Sequence, residues 1–152
     1  MKCIEKPIKE KIERAIRTLL KNDLFLLINN LDEWTISHKL AEYLQQEFPD
    51  WHVDVEYNRN KEQLKRLEEE LFRPDIIVHI RNTNNNLLAV EIKKSNNLET
   101  LRVDKDRLKK LTSPKGKYKY KYGLLVIFYV GDKYQKIPCL EYYQKGSRCK
   151  LS

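Results

Sequence analysis

The sequence predicts an α/β fold in which a mixed sheet is flanked by helices, in the order helix, three strands, helix, strand, with an extra helix in front. Three observations carry this. Apolar residues recur at helical spacing twice near the start: Ile8, Ile12, Ile16, Leu19 and Leu20, then Ile36, Leu40, Tyr43, Leu44 and Phe48. Three later segments, "WHVDVEYN", "DIIVHI" and "LLAVEIK", have the length and the alternation or continuous apolarity of strands. "YGLLVIFYV" is an apolar run suited to a central strand covered on both faces.

Taken in order, the second helix has Asp32 as its expected N-cap, Glu33 in its first turn, and Pro49 to stop it. "WHVDVEYN" puts Trp51, Val53, Val55 and Tyr57 on one face and His52, Asp54, Glu56 and Asn58 on the other. A charged helix is expected from Lys61 to Phe72. Pro74 then biases Arg73 to extended geometry, and "DIIVHI" and "LLAVEIK" form an antiparallel hairpin around the Asn-rich loop from Asn82 to Asn86. "NLETLRVDKDRLKKL" reads as a helix with Leu101, Leu108 and Leu111 inward. The expected organisation is one domain over 1–152: a helical extension at 1–31, a core at 32–130, and a C-terminal edge strand with a basic tail at 131–152.

The chain has 152 residues, 41% of them hydrophobic, enough to build a core. Its start is charged throughout, and no apolar run approaches the roughly 20 residues that span a bilayer, so a cytoplasmic protein without membrane contact is expected. Three cysteines, Cys3, Cys139 and Cys149, show no CxxC or zinc spacing and argue against disulfides. A net charge of +8 favours a polyanionic partner, because Lys and Arg gain from counterion release at phosphates.

The chemistry concentrates in one stretch, "RPDIIVHIRNTNNNLLAVEIKKS". Alternation places Leu87, Ala89, Glu91 and Lys93 on one face of their strand. A hairpin turn centred near Asn84 brings Asp75 beside Lys93. Burying three such charges without partners costs several kcal/mol. Two nearby carboxylates suit a hard divalent ion, and an adjacent ammonium can orient water or stabilise charge on a phosphate oxygen. The plain alternative is a solvated ion pair at a strand end, worth under about 1 kcal/mol.

"RPDIIVH" followed by "LLAVEIKKS" resembles the signature of the PD-(D/E)XK nuclease superfamily, the restriction-endonuclease-like fold, in its small single-domain bacterial form. Pro74 and Asp75 match the first element, and Glu91, Ile92 and Lys93 match the second. The resemblance extends over roughly 32–130. It implies that Asp75 and Glu91 bind Mg²⁺ or Mn²⁺, that the Ile92 backbone carbonyl contributes, and that Lys93 assists the attacking water. It also implies a further acidic residue from the preceding helix, Glu33, with Glu42 as its rival, and a polar residue of the later helix near the site, a pattern that Asp104 and Lys109 lie near. Glu33 is equally well read as a charge favoured by the helix dipole.

The resulting expectation is a Mg²⁺-dependent nuclease acting on DNA. The competing one is a non-catalytic nucleic-acid- or protein-binding module of the same fold, such as a subunit of a defence or repair complex. Lys94, Lys105, Lys109, Lys119 and Lys121 are candidates for phosphate contact, and the tyrosines of "KGKYKYKYG" could stack on bases. Each has a plain reading: Lys105, Arg107, Lys109 and Lys110 as a solvated helix face, and the Lys/Tyr alternation as a strand with its tyrosines packed inward. His38, Glu56 and His79 are read mainly as structural. Because one site nicks one strand, double-strand cleavage calls for a homodimer or a second encounter, and the opening helices could supply a dimer interface.

Overall fold

In the computed structural model the described residues are 3–55 and 73–150. The expected helix from Lys61 to Phe72, and Glu56, lie outside them. Helix α1 (Lys6–Asn22) opens with Pro in its first turn and buries Ile12, Ala15, Ile16 and Leu19, one stripe at helical spacing. A short α2 (Leu24–Ile28), not foreseen, precedes α3 (Glu33–Glu47). Asp32 caps α3 as expected, its carboxylate accepting the Thr35 N–H at 2.8 Å.

Among the described residues six strands form one sheet in sequence order: β1 (His52–Val55), β2 (Ile76–His79), β3 (Asn86–Lys94), β4 (Tyr122–Phe128), β5 (Cys139–Gln144) and β6 (Ser147–Arg148). Neighbours are antiparallel except β3 and β4. That parallel pair needs a crossover, and α4 (Leu101–Thr112) makes it. Among the described residues the element order from α3 to β4 is the expected one. A short 3₁₀ turn (Gly131–Lys133) links β4 to β5.

The sheet divides the core. On one face α1, α2 and α3 pack on Leu88, Val90, Ile92, Leu124, Val126 and Phe128. On the other, Leu108 and Leu111 of α4 meet Ile77, Ala89, Leu125 and Tyr143. Each fully buried side chain of this size stabilises the fold by about 1.5–3 kcal/mol. Gly123 sets how closely α4 lies on β4, since a Cβ there would come within 3.2 Å of both Thr112 and Tyr143. That approach brings the first turns of α4 over the end of β3.

Three sequence expectations change. The region after Lys133 forms a hairpin rather than one edge strand: β5 lies between β4 and β6 and buries Tyr142 and Tyr143. Its two-residue turn, Lys145 and Gly146, has φ of 52° and 82°, the left-handed pair that matches strand twist. Cys3 and Cys149 pair as a disulfide across the two chain ends, with Cα atoms 5.6 Å apart, contrary to the expectation of none. Spacing could not reveal a pair separated by 146 positions. Finally, the "KGKYKYKYG" strand begins only at Tyr122; Lys119 before it has φ of 51°. Among the described residues no helix is long and apolar enough to cross a membrane.

Candidate active site

The site follows from a mismatch in strand length. Ile76 pairs with Val90 as the last β2–β3 rung on that side, so residues 91–94 of β3 run on without β2 beside them. Their β2-facing amides need other acceptors, because unpaired buried N–H groups are costly. Two carboxylates supply them. Asp75 Oδ2 accepts the Ile92 N–H at 2.7 Å, and Glu33 Oε2 accepts the Lys94 N–H at 3.0 Å. An extended residue directs its N–H and C=O to the same edge, which puts the Ile92 carbonyl on the Asp75 side.

The register differs by two residues from the sequence expectation. The loop-side pair His79 and Asn86 centres the turn before Asn84, and continuing the ladder past Ile76 and Val90 sets Asp75 opposite Glu91 rather than Lys93. Glu91 and Lys93 share a face, as alternation required, and it is the face covered by α4. Glu91 is 2% exposed and Lys93 8%. The solvated ion pair at a strand end is thereby excluded.

Helix α4 and its N-cap provide partners for both. Arg107 Nη1 donates to Glu91 Oε1 at 2.9 Å and to Asp104 Oδ1 at 3.2 Å. Lys93 Nζ lies 2.9 Å from Asp104 Oδ2 and donates to Thr100 Oγ1 at 2.6 Å. Four carboxylates, those of Glu33, Asp75, Glu91 and Asp104, therefore surround two cations. Burial pushes the Asp75 carboxyl above its usual range, reinforced by Glu33 and Asp104 against the pull of the Ile92 N–H and Lys93. Burial also drives Glu91 well above its usual range, with Asp75 adding to it and Arg107 opposing. For Lys93, burial pulls downward, but the hydrogen bond and charge of Asp104, helped by Glu33 and Asp75, outweigh it and hold the ammonium above the ordinary lysine value.

Among the described residues no group of three or more His, Cys, Asp or Glu side chains is assembled to hold a metal ion. As they stand, Asp75, Glu33 and Glu91 each give an oxygen to a protein donor. The donor set itself, three carboxylates and a backbone carbonyl at one strand end with negative charge in excess, fits a hard divalent cation in kind.

Other candidates fall elsewhere. Glu42 is on the exposed side of α3 with His38 and Lys39, so of the two acidic rivals Glu33 reaches the cluster. His38 also stacks on Trp34. His79 Nε2 lies 2.7 Å from Asp54 Oδ2, in an ion cluster completed by Arg81 at the opposite end of the hairpin. Lys94 Nζ donates to Asn30, Lys105 pairs with Glu141, and Lys121 with Glu5; Lys109 and Lys119 are exposed. Tyr120 and Tyr122 are buried, which removes them from base stacking.

Reading α4 as a solvated face missed Arg107 and left Asp104, already near the resemblance pattern, without a partner. Asp104 is 3% exposed and occupies a slot in the inward stripe Leu101, Asp104, Leu108, Leu111. A carboxylate in a leucine slot was the available signal. Comparison with protein-family models, curated proteins and solved structures gives no significant match to this chain.

Proposed function

We propose that this chain is a Mg²⁺- or Mn²⁺-dependent nuclease of the PD-(D/E)XK type, with a restriction-endonuclease-like fold, hydrolysing phosphodiester bonds in DNA. The observation that supports it is the convergence of Glu33, Asp75, Glu91 and Lys93, from a helix, a strand entry and a strand, at the point where β3 outruns β2. Satisfying two strand amides accounts for Asp75 and Glu33 but not for Glu91 and Lys93 beside them, and buried excess charge of this kind marks functional sites.

Asp75, Glu91 and the Ile92 carbonyl, with Glu33, would hold the cation. A bound divalent ion supplies Lewis-acid polarisation of the phosphate and a more acidic water. The protein's own share is orientation and charge. Lys93, kept as an ammonium by Asp104, acts as a donor: it positions the attacking water and stabilises negative charge on a phosphate oxygen. Thr100 fixes the direction of that ammonium. The +8 net charge supports a polyanionic substrate.

One observation favours a second reading, a non-catalytic binding module of the same fold: Glu91 and Lys93 are both ion-paired within the protein. Calorimetric titration with Mg²⁺ and Mn²⁺ separates the two. The nuclease reading expects binding by the wild type that is lost in Asp75→Ala/Glu91→Ala. Absence of carboxylate-dependent binding, with DNA present or not, supports the non-catalytic module.

A further inference from the structure

Thr100, Asp104 and Arg107 stand at i, i+4 and i+7, one line along α4 and its N-cap facing the end of β3. Their two cationic partnerships differ. Lys93 is tied to Asp104 and Thr100, whereas Arg107 takes Glu91 Oε1 at 2.9 Å while Asp104 Oδ1 anchors the same nitrogen at 3.2 Å. The Glu91 side chain is 3% exposed and that of Arg107 18%, so the guanidinium comes in from the rim of the site. A guanidinium and a divalent cation draw on the same carboxylate charge, so they compete for it.

Resting on the metal-dependent reading above, we propose that Arg107 is the displaceable counter-ion of Glu91: it neutralises the buried carboxylate in the metal-free protein and yields it to a divalent cation, staying anchored through Asp104. Arg107 thereby sets the metal concentration at which the site is loaded. It is a positioning residue in this role, acting on the metal through Glu91.

The test uses the full chain without nucleic acid. Mn²⁺ is titrated by calorimetry into the wild type, Arg107→Gln and Arg107→Lys at one ionic strength, with folding checked by circular dichroism. Arg107→Gln is expected to bind Mn²⁺ roughly tenfold more tightly, the scale on which one charge within about 4–6 Å alters an ionic equilibrium. Arg107→Lys, which keeps the charge but lacks the planar fork bridging Glu91 and Asp104, moves the same way by a smaller factor. If Arg107→Gln does not fold, the Lys variant decides. Binding by the Gln variant alone, with none by the wild type, means that Arg107 blocks the site rather than yields it, and overturns the proposal. Mn²⁺ binding that is unchanged or weaker in the folded variants overturns it while leaving the metal-dependent reading standing. No Mn²⁺ binding by any of the three removes both.

Discussion

The β2–β3 hairpin carries a charged cluster at each end, and the two are built on opposite principles. At the loop end Asp54 is shared by Arg81 and His79, and its side chain is 28% exposed. There the pairing is strong and solvent is near: Arg81 and His79 outweigh partial burial and hold the Asp54 carboxyl down at about 2. At the Asp75 end the carboxylates outnumber the cations, Glu91 and Asp104 are buried, and Asp75 and Glu91 are pushed up instead. Stabilising ion clusters keep their acids easily ionised. A cluster whose acids resist ionisation costs stability, as the proposed metal-dependent site requires of carboxylates kept for a cation.

The largest effect expected from this contrast is on cleavage at the buried end. Lys93→Ala should lower metal-dependent DNA cleavage by roughly 10³-fold, within the range for loss of a catalytic proton donor or charge stabiliser, while circular dichroism shows a folded protein. Glu33→Gln should cost roughly 10²-fold, as expected for loss of one charge-stabilising contact. Glu42→Gln, on the same helix but outside the cluster, should cleave as the wild type does. Equal effects of the two Glu variants would dissolve the distinction between the ends of α3.

Stability should respond with opposite sign at the two ends. Asp54→Asn should destabilise by about 1 kcal/mol at neutral pH, allowing for solvent screening, with cleavage unchanged. Asp75→Asn keeps an acceptor for the Ile92 N–H and removes a buried like charge, so its melting temperature should rise although cleavage is lost. Acid titration follows from the same signs. Because the folded value of Asp54 is depressed, its stabilisation is present above about pH 3.8 and is lost as pH falls towards 2. Asp75 and Glu91 have raised folded values, so their ionisation on raising pH costs stability, and acid relieves it. Denaturant melts of wild type, Asp54→Asn and Asp75→Asn across pH 2–7 separate the two contributions. The smallest effect is on substrate affinity: Lys109→Ala and Lys119→Ala should each reduce the salt dependence of DNA binding by a slope of about 1 if that lysine meets a phosphate.

How much of this was legible in the sequence differs between the same regions. Glu91 and Lys93 were visible because they interrupt an apolar strand at positions that share a face, and period-2 alternation leaves little freedom. The position of Asp75 was visible to within two residues; the turn is centred nearer Thr83 than Asn84, and nothing in a run of asparagines marks that centre, so Asp75 falls opposite Glu91 instead of Lys93. The choice between Glu33 and Glu42 depended on which helix face meets β3, and periodicity within α3 alone does not say so. Asp104 and Arg107 were obscured by four basic neighbours that made α4 look solvated, although Asp104 stands in a leucine slot. The β5–β6 hairpin escaped notice because Lys145-Gly146 is a weaker turn signal than Asn-Gly.

The central claim is that the buried end of the hairpin hydrolyses phosphodiesters with a divalent ion. Its most direct test is supercoiled-plasmid and oligonucleotide cleavage by the wild type and by the folded Asp75→Ala, Glu91→Ala and Lys93→Ala proteins, each in Mg²⁺, in Mn²⁺ and in EDTA. The account predicts cleavage by the wild type in metal alone, none by Asp75→Ala or Glu91→Ala, and no more than a residual trace by Lys93→Ala. Cleavage that survives EDTA, or that all three variants retain, contradicts it.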